Sequence, residues 1–80
     1  MRIDKYLKVS RLIKRRTVAN AACDAGKIWI NDRVAKPGDQ VKIGDRIAME
    51  FKGEVQKYEV LSVSEHALKE QAGEMYRKVE

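Results

Sequence analysis

The hydrophobic period of this chain changes at Gly26, and that change constrains the fold more than any other feature. Before it, Ile3, Tyr6, Leu7 and Ile13, with Ser10 between them, recur at helical spacing and give one buried stripe. Asp4, Lys5, Lys8 and Arg11 are then expected on the opposite side, facing solvent. Thr17 suits the N-cap of a second helix running through Val18, Ala19, Ala21, Ala22, Cys23 and Ala25. Gly26 ends it, because glycine takes the left-handed conformation just past a helix terminus without steric cost. The alanines allow the two helices to pack closely.

After Gly26 the pattern is that of strands. Ile28-Trp29-Ile30 reads as a short strand closed by the turn residues Asn31-Asp32. Pro37-Gly38-Asp39 and Gly44-Asp45 bracket the short apolar segment Val41-Lys42-Ile43. Ile47, Met49 and Phe51 alternate along 46–51, Lys52-Gly53-Glu54 forms a hairpin turn, and 55–63 supplies the return strand. Ser64 is then expected to cap a last helix, with Leu68, Ala72, Met75 and Val79 on one side. Gly73 weakens that helix by about 1 kcal/mol relative to alanine, which keeps it short. The expected fold class is α+β: two packed N-terminal helices on a small, mainly antiparallel sheet, then a short C-terminal helix. Residues 1–63 form the domain, and 64–80 form a tail helix packed on it.

With 80 residues there is room for one domain and none for a catalytic domain beside it. A domain of this size buries only about 60% of its unfolded surface, and a single cysteine offers no internal disulfide to supplement that core. No apolar run reaches the roughly 18 residues of a membrane span, and the N-terminus lacks the apolar stretch of a secretory signal. A whole, soluble, cytoplasmic chain is expected. Cys23 lies among small helical residues, where a buried thiol is expected, and His66 belongs to a polar surface. Neither has a partner for nucleophilic or metal chemistry, and no phosphate-binding glycine loop is present. The reading is a non-enzyme without cofactor or metal.

Charge supplies the function class. Residues 1–36 carry ten Lys and Arg against three Asp, a net of +7, whereas 37–80 carry seven basic against nine acidic residues, a net of −2. Such asymmetry is expected of a protein that turns one face to a polyanion. Arg11 and the run Lys14-Arg15-Arg16 lie where two helix ends are expected to approach, and a helix N-terminus adds backbone N–H groups suited to phosphate. Arginine grips phosphate with a planar fork, which ranks Arg16, Arg2 and Arg11 first, with Lys5, Lys14 and Arg15 next. Asp4 serves either the fold, by pairing with an arginine, or the site. Lys27 and Lys36 flank the first strand as second-tier contacts, and Asn31 suits a turn better than a base. Trp29 points away from Ile28 and Ile30. It either stacks on an unpaired base or is covered by the tail helix through Met75 or Tyr76, and the second is the expectation.

The order of short motifs resembles a known family. Arg2-Ile3-Asp4-Lys5-Tyr6-Leu7, Ser10-Arg11, Lys14-Arg15-Arg16-Thr17, Ala22, Gly26-Lys27-Ile28 and Ile30-Asn31 are similar to the S-four RNA-binding domain, named for a small-subunit ribosomal protein. Val34, Lys36-Pro37, Val41 and Gly44-Asp45-Arg46-Ile47 continue the likeness over about 50 residues, and Asp32 departs from the usual glycine after Asn31. Within that family the chain resembles free-standing bacterial members of ribosome-associated quality control and a related small ribosome-binding heat-shock protein. The resemblance implies an RNA surface made of Arg2, Lys5, Lys8, Arg11, Lys14, Arg15, Arg16, Lys27, Asn31 and Lys36. It implies binding to stalled large ribosomal subunits that hold peptidyl-tRNA, with contacts to ribosomal RNA and tRNA. There the chain would support C-terminal tailing of the nascent chain by the partner factor RqcH, as a monomer when free and away from membranes. The alternatives are an S-four module on another structured RNA, or an adaptor whose basic face meets an acidic protein.

Overall fold

The helical spacing at the N-terminus forms two helices that begin or end earlier than the pattern suggests. In the computed structural model, which describes residues 1–64 and 69–79, α1 spans Ile3–Val9 and α2 spans Arg16–Asp24. Ile3, Tyr6, Leu7 and Ser10 are buried as their spacing requires, and α2 buries Ala19 and Cys23 against them. Helix α1 stops at Ser10 because Arg11 takes a left-handed backbone, φ 65°. Helix α2 starts at Arg16 with extended Arg15 before it, so Thr17 lies inside the first turn and is not the N-cap. At its far end Gly26 adopts φ 74°, the left-handed stop expected there.

Past Gly26 the chain forms strands β1 (Ile28–Ile30), β2 (Arg33–Val34), β3 (Arg46–Phe51), β4 (Glu54–Val60) and β5 (Tyr76–Val79), with a single helical turn, α3 (Lys69–Ala72), before the last. They make one antiparallel sheet in the order β2-β1-β3-β4-β5. Two hairpins turn on two residues each, Asn31-Asp32 at φ 51° and 68° and Lys52-Gly53 at φ 53° and 81°. Positive φ at both loop positions matches the right-handed twist of the flanking strands. Asn and Asp tolerate that backbone well, so Asp32 in place of glycine leaves the turn intact.

Ile28, Ile47 and Val60 point from the sheet to α1 and α2, and Ala35, Val41 and Met75 close the core. The 37–41 segment lies against the chain start, where Ile3 N–H donates to the Asp39 carbonyl (2.7 Å) and Val41 N–H to that of Met1 (2.8 Å).

The C-terminal segment corrects the expected tail helix. One helical turn ends at Ala72, and Tyr76–Val79 then adds to β4 as an edge strand of the same sheet. Ala72 and Met75 are buried as their spacing suggested, but through a turn rather than a continuous helix. Three contacts favour the strand. The Tyr6 hydroxyl donates to the Met75 carbonyl (2.6 Å), the Tyr76 ring meets Tyr58 edge-on at 5.3 Å, and Arg77 pairs with Glu59. His66 and Leu68 lie outside the described residues. Because β5 occupies the edge farthest from the β1–β2 hairpin, Met75 and Tyr76 do not cover Trp29.

Candidate nucleic-acid interface

The N-terminal cations are organised by one acidic side chain. Asp4 was expected on the solvent side of α1, yet the residue is only 2% exposed. Its Oδ1 accepts the backbone N–H of Lys5 (2.8 Å) and lies 3.3 Å from Arg2 Nε and 3.5 Å from Arg16 Nη2. Its Oδ2 accepts from Arg2 Nη2 (3.3 Å) and from Asn20 Nδ2 (3.4 Å). Burial by itself pushes the Asp4 carboxyl upward. The Asn20 amide, Arg16, the Lys5 N–H and Arg2 together outweigh it and hold the group below its ordinary value. Asp4 is therefore ionised at neutral pH.

The two guanidiniums remain half exposed, with side-chain exposures of 50% for Arg2 and 47% for Arg16. Each carries N–H groups beyond those aimed at Asp4. Asp4 thus restricts the orientation of two arginine forks while leaving them open to an anion. The 37–39 turn completes this end of the site: Gly38 sits beneath Arg2, and a Cβ there would lie 3.9 Å from the Arg2 Cζ. Lys36, two residues earlier, is exposed, with its backbone N–H held by Asp39 (2.9 Å).

The remaining expected residues are spread over the same half of the domain. Lys5 lies beside the cluster and is partly buried, and Lys8 is exposed in the last turn of α1. Exposed Arg11 follows that turn, while exposed Lys14 and Arg15 lead into α2. No side chain caps the first turn of α2. Arg16, in the first turn of α2, pairs with Asp4 near the start of α1. Sequence reasoning passed over Asn20, although its position four residues after Arg16 sets both on one side of α2.

Three expected residues fall elsewhere. Asn31 is occupied in the fold, since its Nδ2 donates to Asp45 (3.1 Å) and its Oδ1 accepts the Arg46 N–H (2.9 Å). That pins the β1–β2 turn to β3. Lys27 and Trp29 belong to the sheet face turned away from the core. Cys23 is buried, and burial, followed by Asp4, Asp24 and Asp39, raises its thiol to about 11, so it stays protonated and unreactive at neutral pH. Among the described residues no three His, Cys, Asp or Glu side chains are grouped to hold a metal, and no helix is long and apolar enough to cross a membrane.

The S4 domain pattern matches residues 1–47, from the Asp4 cluster to the start of β3. The chain belongs to the S4 domain family. The chain is 51% identical over 76 residues to the RQC P-site tRNA stabilizing factor of Listeria innocua, covering 95% of this chain and 83% of that one. It is 45% identical over 76 residues to the protein of the same name in Bacillus subtilis, covering 95% and 88%. The trimeric Heat Shock Protein 15 of Vibrio cholerae has the same fold, with a TM-score of 0.89 and 28% identity over 99% of this chain and 81% of that chain.

Proposed function

We propose that this chain is an RNA-binding factor of ribosome-associated quality control that stabilises the P-site tRNA on a stalled large ribosomal subunit. The similarity to tRNA stabilizing factors over nearly the whole chain supports the role, and it assigns the chain binding rather than catalysis. The single structural observation that carries it is the Arg2–Asp4–Arg16 cluster, in which a buried carboxylate sets two half-exposed guanidiniums beside each other. Paired forks of this kind suit the phosphates of a folded RNA, whose shape rather than base edges is then recognised. Arg2 and Arg16 form the centre of the contact. Lys5, Lys8 and Lys36 flank it, and Arg11, Lys14 and Arg15 extend it along the inter-helix segment.

On this reading the chain contacts large-subunit ribosomal RNA and peptidyl-tRNA in the cytoplasm, joins as a monomer, and holds the tRNA while RqcH extends the nascent chain. Co-sedimentation with purified large subunits carrying peptidyl-tRNA tests it. Arg16→Ala is expected to lower retention by about ten- to a hundredfold, the scale of one lost charge-assisted contact. Undiminished retention of that variant refutes the site, and no retention of the unaltered protein refutes the function.

A further inference from the structure

The sheet has a second face, and its composition is that of a stacking platform. Strand alternation turns Ile28 and Ile30 to the core and Trp29 outward, and Trp29 is partly buried without joining the core cluster. The register places Val34 beside it on β2 and Ala48 on β3, with Lys57 of β4 next in the row. Val34 and Val55, on this same face, are 57% and 52% exposed, so the face meets solvent. The small Ala48 leaves Lys57 free to lean toward the indole from two strands away, roughly 10 Å.

Four cations share this face with the ring. Lys27 precedes Trp29 by two residues on the same face, where its carbonyl accepts the Glu50 N–H (2.9 Å). Arg46 is diagonal to it on β3, and Arg77 lies on β5 across from Glu59. Of the two acids on the face, Glu59 is held by Arg77, which draws its carboxyl below the ordinary value, and Arg46 adds to that pull. Four cations against two acids, on one face with an outward indole, match a chain of flat bases joined by phosphates. A protein partner needs about 800 Å² from each side with an apolar centre, more than one ring, an alanine and three valines supply.

We propose that this outward face binds single-stranded RNA, with an unpaired base stacked on Trp29 and the neighbouring phosphates on Lys27, Arg46 and Lys57. The proposal stands apart from the Arg2–Arg16 site, which lies with the helices. A domain with both sites holds a folded RNA on one side and an unpaired strand on the other.

Trp29 is the only tryptophan, so its emission reports on this face alone. The intact protein is titrated with octauridylate and octaadenylate at low salt, and binding is followed in parallel by anisotropy of labelled oligonucleotide. The expected results are quenching of the emission and equal quenching in Arg16→Ala. Affinity should be close to unaltered in Trp29→Phe and about 5- to 150-fold weaker in Trp29→Leu, the range of a lost base–aromatic stack. Lys57→Glu, on an exposed position, should weaken binding by at least fivefold and keeps the test intact should Trp29→Leu fail to fold. Unquenched emission at saturation, loss of quenching in Arg16→Ala, full affinity in Lys57→Glu, or quenching by an acidic peptide instead of the oligonucleotides would each overturn the proposal.

Discussion

The two faces of the sheet hold their cations in opposite ways. On the helix side, Arg2 and Arg16 converge on one buried carboxylate, so their directions are restricted before any RNA arrives. On the outward side, Lys27 and Lys57 share a face with an indole, and among the described residues neither is held by a carboxylate. Prepaid order at the first face reduces the entropy lost on binding and suits an RNA of fixed shape. Adaptable charge at the second suits a flexible strand, for which stacking tolerates any base. The +7 of residues 1–36 is therefore not one patch, because Lys27 has gone to the other face.

The largest effect that separates the faces is expected from Asp4→Asn. The asparagine amide keeps the volume and one acceptor but loses the charge that four donors address. Because both arginines are half exposed, the cost to the fold is discounted for solvent screening to about 1–2 kcal/mol. That lowers Tm on the order of 5–15 °C for a domain of this size. Retention on large subunits should fall about tenfold, as the arginines lose their set directions. Quenching of Trp29 by octauridylate should stay within about twofold of the unaltered protein. Equal losses at both faces would mean that Asp4 acts only on global stability, and the contrast between the faces would collapse.

The burial of Asp4 also marks the limit of what could be read beforehand, although pairing with an arginine was one of its two expected roles. Ile28-Trp29-Ile30, the alternation of Ile47 and Met49, and the turns at Asn31-Asp32 and Lys52-Gly53 are local patterns, and they formed where the pattern placed them. Asp4 looked exposed because the helical stripe of α1 treats it in isolation. Its burial depends on where α2 lands, which a one-helix pattern does not contain. The tail misled for a related reason. Ala72 and Met75 bury equally well from a helix or from a turn leading into a strand. The deciding contacts, Tyr6 with the Met75 carbonyl and Tyr76 with Tyr58, join residues far apart in the chain. The charge of the N-terminal half and the rank of Arg16 and Arg2 were legible beforehand, while their convergence on one buried carboxylate was not.

A smaller effect compares the two helix ends, which use the same backbone with different residues. Gly26 follows α2 at φ 74° without steric cost, whereas Arg11 follows α1 at φ 65° with a Cβ in the way. An exposed arginine held in that conformation is strained by about 1 kcal/mol. Arg11→Gly should therefore raise stability by about 0.5–1 kcal/mol, seen as a higher urea midpoint at unchanged slope. The same variant should bind large subunits about threefold more weakly, since it removes one peripheral cation, and should leave Trp29 quenching as it was. A gain in stability with no loss of binding would remove Arg11 from the interface. A loss of stability would mean that its side chain, not its backbone, holds the end of α1.

The smallest effect near neutral pH is the acid response, and its sign follows from Asp4. Its folded carboxyl lies below the ordinary value of 3.8, so protonation is harder in the folded state than in the unfolded chain. The stability contributed by this ionisation is complete above the unfolded value and is lost as pH falls through the lower folded value. Unfolding free energies of the unaltered protein and Asp4→Asn should then differ by a constant amount from pH 7 to about pH 5, and converge below pH 4. Glu59, on the outward face, is also lowered, chiefly by its hydrogen bond from Arg77, but it is solvent-screened. Glu59→Gln should track the unaltered protein closely at every pH. Urea titrations of the three proteins between pH 3 and pH 7 measure this directly. If the Glu59 variant converges in acid as Asp4→Asn does, the outward cations are as firmly anchored as those beside the helices, and the two faces do not differ in kind.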